Sequence, residues 1–320
     1  MEVKSVEVQV RPLEGLDYAA IVEIVNSVEL PWQTSEEELR QEDDVTEADD
    51  TVSHYVAVEA GQGQTVGHGV LRANAGSSRP QECQLELRVH ADWRRRGVGT
   101  LLWQRLQEDL EQLQPACVRV WVRERYPEAL AFAEQRGFAE VSRSGPWALD
   151  VAGADLRPFL PALARTAASG VIVTTLAEER GSAPQCLPAL HRLRVAIDAD
   201  IPAPEPYPVL SLEDFVREAE NGGSEGFFLA KRGGEYVGLS CLSPSPIDPQ
   251  ELQQSVTGVR RDCRHKGIAT ALKVRGIQFA QESGYAKIVT YVESTNAPMN
   301  VLNKKLGFVG GNDAVLMERQ

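Results

Sequence analysis

Along the chain, hydrophobic positions change period in a fixed order, and that order runs twice. Val6, Val8 and Val10 alternate with polar residues, the period of a strand, so 3–11 is expected to be one. Residues 16–28 carry the longer period of a helix, and strands are expected at 54–58, at 65–71 after the Gly61-Gln62-Gly63 turn, and at 83–89. Leu102, Leu106, Leu110 and Leu113 recur at helical spacing and predict a helix over 98–113. A strand at 116–122, a helix at 128–135 and the Gly137-Phe138 turn into a last strand complete the first half. The second half repeats the plan, with a strand at 171–176, helices at 188–197 and 212–220, and strands at 226–231 and 236–242. Val66-Gly67 and Val237-Gly238 lie 171 positions apart, and Gly137-Phe138 and Gly307-Phe308 170 apart. Even offsets across unlike segments imply a duplicated domain. We expect one domain over 1–157, a proline-bearing linker over 158–170 and a second domain over 171–320.

In each half one strand runs into a basic turn and then, through glycine, into a helix. The first copy is Val89 followed by Arg94-Arg95-Arg96-Gly97-Val98-Gly99-Thr100, and the second is Val259 followed by Arg264-His265-Lys266-Gly267-Ile268-Ala269-Thr270. A turn that opens onto a helix N-terminus presents unpaired N–H groups and the positive end of the helix dipole, and glycine lets the main chain approach a phosphate. One such turn alone also reads as a solvated basic loop. Two copies at the same spacing, 170 residues apart, favour an anion site.

Composition narrows the classes. With 320 residues the chain exceeds the usual single-domain size, consistent with two domains. A net charge of −13 disfavours nucleic-acid binding, which needs a basic face. There is no apolar run of membrane-spanning length and no signal-peptide core at Met1-Glu2-Val3-Lys4-Ser5, so no membrane partner and a cytoplasmic location are expected. The five cysteines are scattered without a C-x-x-C pair, and the five histidines form no metal-binding group; no metal is expected. The acidic stretch from Glu36 to Asp50 reads on its own as a solvated helix and loop.

Taken together, the order of elements, the two basic turns and the two Gly-Phe pairs resemble the GNAT N-acetyltransferase superfamily over nearly the whole chain. The resemblance implies a mixed α+β fold of two tandem domains, each a central, mostly antiparallel sheet with flanking helices. It further implies that acetyl-CoA is bound as cosubstrate, with its pyrophosphate on the basic turn and its pantetheine arm along the strand ending at Val89 or Val259. The expected reaction is transfer of the acetyl group to a primary amine of a small molecule or peptide. The acidic stretch would border the acceptor and attract cationic ones.

The second copy is closer to the family at its later motif, where Asn296, Met299, Asn303 and Leu306-Gly307-Phe308 follow the strand 290–293. Asn296 can contact the cofactor arm or cap the following helix, and Asn303 stands with it as a cofactor contact. Many members carry a tyrosine four residues before the Gly-Phe glycine as the proton donor; this chain has Ala133 and Asn303 there. Glu293 at the strand end is the candidate base, and Tyr291 would share its face of the sheet; each also reads as an ordinary surface carboxylate or packed tyrosine. Glu86 is the corresponding candidate in the first copy. These departures leave two functions: an acetyltransferase active in its second domain, or a non-catalytic acyl-CoA binder or sensor. Monomer and homodimer both stay open, since duplication can supply the pairing that single-domain relatives obtain by dimerising.

Overall fold

Strand and helix periods become elements where side chains on one face find a core. The computed structural model describes residues 7–28, 34–44, 51–61, 63–73, 82–183, 185–203, 209–221, 223, 225–246, 248–311 and 314–320; the parts of the first strand and acidic stretch at 3–6 and 45–50 lie outside these. Two compact units result, one of Met1–Val141 with Leu316–Gln320, the other of Ser142–Val315.

The first unit contains β1 (Val8–Pro12), α1 (Tyr18–Val28), α2 (Glu36–Asp44), β2 (Thr51–Glu59), β3 (Thr65–Ala73), β4 (Glu82–Val89), α3 (Val98–Leu113), β5 (Cys117–Arg123) and α4 (Pro127–Glu134). Its strands run in the order β1-β2-β3-β4-β5. The pairs are antiparallel up to β4, and β4 and β5 are parallel. Helix α3 buries Val98, Leu102, Trp103, Leu106 and Leu110. Ile21 and Val25 of α1 pack on Val56 of β2 in a separate cluster.

The second unit takes most of β6 (Ala139–Asp150), followed by α5 (Leu160–Ala168), β7 (Val171–Thr175), α6 (Leu176–Ser182), α7 (Leu187–Asp198), α8 (Leu212–Asn221), β8 (Phe227–Arg232), β9 (Glu235–Pro244) and β10 (Glu251–Val259). It continues with α9 (Ile268–Glu282), β11 (Lys287–Glu293), α10 (Ala297–Lys305) and β12 (Val309–Gly310), while β13 (Ala314–Arg319) straddles its end. Strand order is β6-β11-β10-β9-β8-β7, with β12 also on β6. Among the described residues, β10 and β11 pair in parallel, and β6–β11, β6–β12, β7–β8, β8–β9 and β9–β10 pair antiparallel. One core lies under α9, with Leu272, Ile277, Val292 and Phe308. The core on the other face joins Leu190 and Ile197 of α7 to Phe215 of α8.

Three features differ from the sequence expectations. Residues 160–168, expected in a linker, form helix α5 inside the second unit. A short helix, α6, follows β7 directly, because Thr175 and Glu178 close a capping box. The strands ending the two sequence copies have changed places: β6, from the first copy, pairs with β11, and β13, from the second, lies beside β5. The compact units are therefore not coextensive with the segments 1–157 and 171–320. Period reveals that a segment is a strand; which neighbour it joins depends on contacts distant in sequence. Among the described residues, no helix is long and apolar enough to cross a membrane.

Candidate active site

Both basic turns fold alike. Arg95 and Gly97 have φ of 61° and 87°, and His265 and Gly267 have 63° and 79°, so each turn twice enters the left-handed region and leads into α3 or α9. Gly97 and Gly267 are the N-caps, with no side-chain cap hydrogen bond, which leaves first-turn N–H groups to an external acceptor. The first arginine of each motif makes a bond within its own turn that local sequence does not predict. Arg94 Nε donates to Val89 O at 3.2 Å and Arg264 Nε to Val259 O at 3.0 Å, tying strand end to turn. Arg264 also pairs with Asp200, which Arg261 joins; the two arginines hold that carboxyl below the usual range. Positive charge at the second turn is thus partly spent inside the protein. Arg95, Arg96, His265 and Lys266 are exposed, as is Thr100, while Val98 and Ile268 are buried and Gly99, Ala269 and Thr270 are partly buried.

In both units the parallel strands part before they end. Parallel pairing of β4 with β5 stops at Gln84 and Arg119, although the strands continue to Val89 and Arg123. Pairing of β10 with β11 stops at Gln254 and Thr290, leaving the stretch from Ser255 to Val259 without a β11 partner among the described residues. β10 alone of these two strands also carries an irregularity, between Gln254 and Val256 in its register with β9. Such a gap exposes strand N–H and C=O groups to an extended amide chain.

Near the second gap, Val292 faces the core under α9, so Tyr291 and Glu293 share the opposite face. Tyr291 is 41% exposed. Glu293 is partly buried and accepts a hydrogen bond from Ser142 Oγ. Burial raises its pKa, and the serine bond opposes the rise. Asn296 is the N-cap of α10, accepting from Met299 N at 3.4 Å, the capping alternative. Asn303 is fully buried, and neither of its side-chain polar atoms has a hydrogen-bond partner among the described residues. A buried amide left unpaired costs about 1–3 kcal/mol; with the bare turn and the parted strands, it fits a ligand rich in amides and phosphates such as acetyl-CoA.

The first unit offers a different chemistry. Glu86 pairs with Arg88 and, at 3.3 Å, with Arg72, and these cations help drive its pKa down to about 2 against its burial. A carboxylate held that firmly is a poor base. Arg123 occupies the position of Glu293, and buried Ala133 that of Asn303. The described acidic residues of α2 also belong to this unit.

Sequence patterning missed an acidic group in the second unit. Ser255, at the strand irregularity, donates to Glu218 at 3.1 Å; Glu218 pairs with Arg194 at 2.9 Å, and Arg194 with Asp198 at 2.8 Å. Two carboxylates share one guanidinium there, on the face of α7 and α8 that Glu293 also shares. The signal was a polar residue at each point where helix spacing meets the sheet, legible only once the partners were known. Lys273, on a core-facing helix position, was missed in the same way.

Comparison with known proteins gives a consistent picture. Residues 18–138 and 192–308 each match the acetyltransferase (GNAT) family. The chain is 28% identical over 289 residues to a mycothiol acetyltransferase of Parafrankia sp., covering 80% of each. It is 28% identical over 231 residues to one of Saccharomonospora viridis, covering 70% of each. A GCN5-related N-acetyltransferase from Sphaerobacter thermophilus superposes over 98% of this chain and 95% of its own, with TM-score 0.67 and 19% identity. A tandem GNAT protein from the clavulanic acid biosynthesis pathway covers 98% of both chains, with TM-score 0.66 and 18% identity. These two likenesses are of fold.

Proposed function

The chain belongs to the acetyltransferase (GNAT) family, an acyltransferase family whose donor is acetyl-CoA, and from that premise we propose that acetyl transfer occurs in the second unit, onto a cationic primary amine. Glu293 carries the proposal. A base must be ionised yet ready to take a proton, and burial has moved this carboxyl toward that condition. It would remove the proton of the incoming ammonium so that the amine lone pair can attack the thioester carbon. Tyr291, on the same face, flanks the acceptor. The negative surplus at Glu218 and Asp198 beside Arg194 supports a positively charged acceptor. For the donor, the turn at Gly267 would hold the pyrophosphate and β10 the pantetheine arm, with Asn303 supplying polar groups inside.

A second reading concerns the first unit alone, which keeps the turn and the strand gap while its carboxylate is locked by arginines; we assign it acyl-CoA binding without transfer. Thr270→Glu and Thr100→Glu test the division. A glutamate in the first helical turn favours the helix and opposes a phosphate, so folding is preserved while binding suffers. Thiol release from acetyl-CoA with a panel of amines should fall at least about tenfold in the Thr270 variant and far less in the Thr100 variant. The reverse order would move the chemistry to the first unit. Glu218→Gln should raise the Michaelis constant for cationic amines but not for neutral ones.

A further inference from the structure

We propose that Lys273 is the proton donor to the departing thiolate in the second unit, an assignment that rests on transfer taking place there. Lys273 lies on α9, only 2% exposed. Its Nζ donates to Gln254 Oε1 and sits 4.6 Å from the centre of the Phe308 ring. Gln254 is the last β10 residue paired with β11, and Thr290 Oγ1 closes that vertex by donating to Gln254 O at 3.1 Å. The amine therefore stands at the inner end of the gap.

Its setting is built rather than incidental. Gln254 Nε2 donates to Ser240 Oγ at 2.9 Å, and Ser240 Oγ lies 2.8 Å from Thr257 Oγ1. With its NH2 group so engaged, Gln254 turns its oxygen to Lys273. Thr257 sits on the part of β10 that has no β11 partner among the described residues and is half-buried, so the chain of polar groups leads back into the gap. No carboxylate pairs with Lys273 among the described residues; Gln254 of β10, Ser240 of β9 behind it and the Phe308 ring are the groups that face it. Packing does not require an amine at this place. The first unit has Trp103 at the matching position, 5.9 Å from Phe138 and edge-on to it, an apolar filling of the same space. A buried amine without a counter-ion is expensive, and its ammonium has two hydrogens beyond the one given to Gln254.

Burial lowers the Lys273 ammonium to about 7, below an ordinary thiol near 8.5, so passing a proton to a thiolate runs downhill. The balance is complete: the acceptor nitrogen forms the N–C bond, and the C–S bond breaks with its electron pair going to sulfur. Sulfur takes a proton from Lys273 and leaves as the thiol. The acceptor nitrogen sheds two protons: the ammonium proton passes through Glu293 to solvent before attack, and Glu293 takes the second as the C–S bond breaks; solvent exchange then restores Glu293 and Lys273.

Lys273→Met, which keeps the volume and removes the charge, tests the assignment with an amine that the wild type accepts. With acetyl-CoA, kcat should fall about 100-fold, the Michaelis constant for acetyl-CoA should stay within about twofold, and the alkaline limb of the kcat profile should vanish. With phenyl thioacetate, whose thiol leaves without a proton, the loss should be under about threefold. Equal losses with both donors, or an unchanged profile, overturn the assignment. Should the variant not fold, carbon NMR titration of the wild-type lysine side chains decides: Lys273 must titrate with the alkaline limb of kcat, and a mismatch overturns the proposal. Turnover indifferent to Thr270→Glu would instead retire the assignment of transfer to this unit.

Discussion

A carboxylate serves as a base when burial makes its charge costly and no cation holds it, and Glu293 and Glu86 have met opposite conditions. Two arginines anchor Glu86, whereas burial and a single serine hydroxyl govern Glu293. Since the pKa of Glu293 is raised, activity that needs its ionised form is lost as pH falls through a point above the usual glutamate range. Removing the hydroxyl takes away a bond that favours the charged form. Ser142→Ala should therefore shift the acid limb of kcat/KM upward without removing activity at alkaline pH. Glu293→Gln should lower kcat about 100-fold or more. A Ser142→Ala profile that stays put would show that another group sets the acid limb.

At the scale of elements, the basic turn of the second unit is held from outside by α5. Thr166 Oγ1 lies 3.0 Å from Ala162 O and 3.1 Å from Lys266 O, and a Cβ at position 267 would come within 2.7 Å of it. Gly267 is thus required twice, by its positive φ and by this contact, while the space around Gly97 is open. Thr166→Val keeps the shape of the side chain and deletes the bond to the turn. It should cost about 1 kcal/mol in stability and raise the Kd for acetyl-CoA at the second unit several-fold, as read by calorimetry; an unchanged Kd would make α5 a bystander.

Over the whole molecule, each unit is completed by the last strand of the other sequence copy. In the first unit, Glu318 from the chain's end pairs with buried Arg119 at 3.0 Å, and Glu82 pairs with the same arginine at 2.7 Å. The Arg319 guanidinium lies over the Trp103 and Phe138 rings, at 5.0 and 5.5 Å. The bond to Arg119 contributes to holding the Glu318 pKa down, so its stabilisation is full at neutral pH and is lost as pH falls through its lowered value. Glu318→Gln should destabilise the first unit by about 2 kcal/mol at neutral pH, with little difference from wild type in strong acid. Deleting residues 316–320 should lower the melting temperature of the first unit, although the deletion lies in the second sequence copy. Denaturation followed at Trp103 would show whether the loss falls there.

Much of this was legible in the residues themselves. Period-2 and helical spacing determine element type locally, so α3 begins and ends where Leu102, Leu106, Leu110 and Leu113 imply. Equal offsets between landmarks reveal the duplication, and the glycines at 97 and 267 reveal turns that enter the left-handed region, because backbone conformation there depends on a few adjacent residues. The sequence singles out Glu293 and Asn303 as candidates without showing their surroundings: a pKa depends on burial and neighbours, and Asn303 stands out only by lacking partners among the described residues. Lys273 was hidden because its meaning depends on the strand vertex it reaches. Tertiary structure alone decided that Arg94 and Arg264 brace strand ends, that a supposed linker supports a turn, and that the two final strands change places. Each outcome rests on contacts between segments far apart in sequence, where local pattern carries no information about the partner.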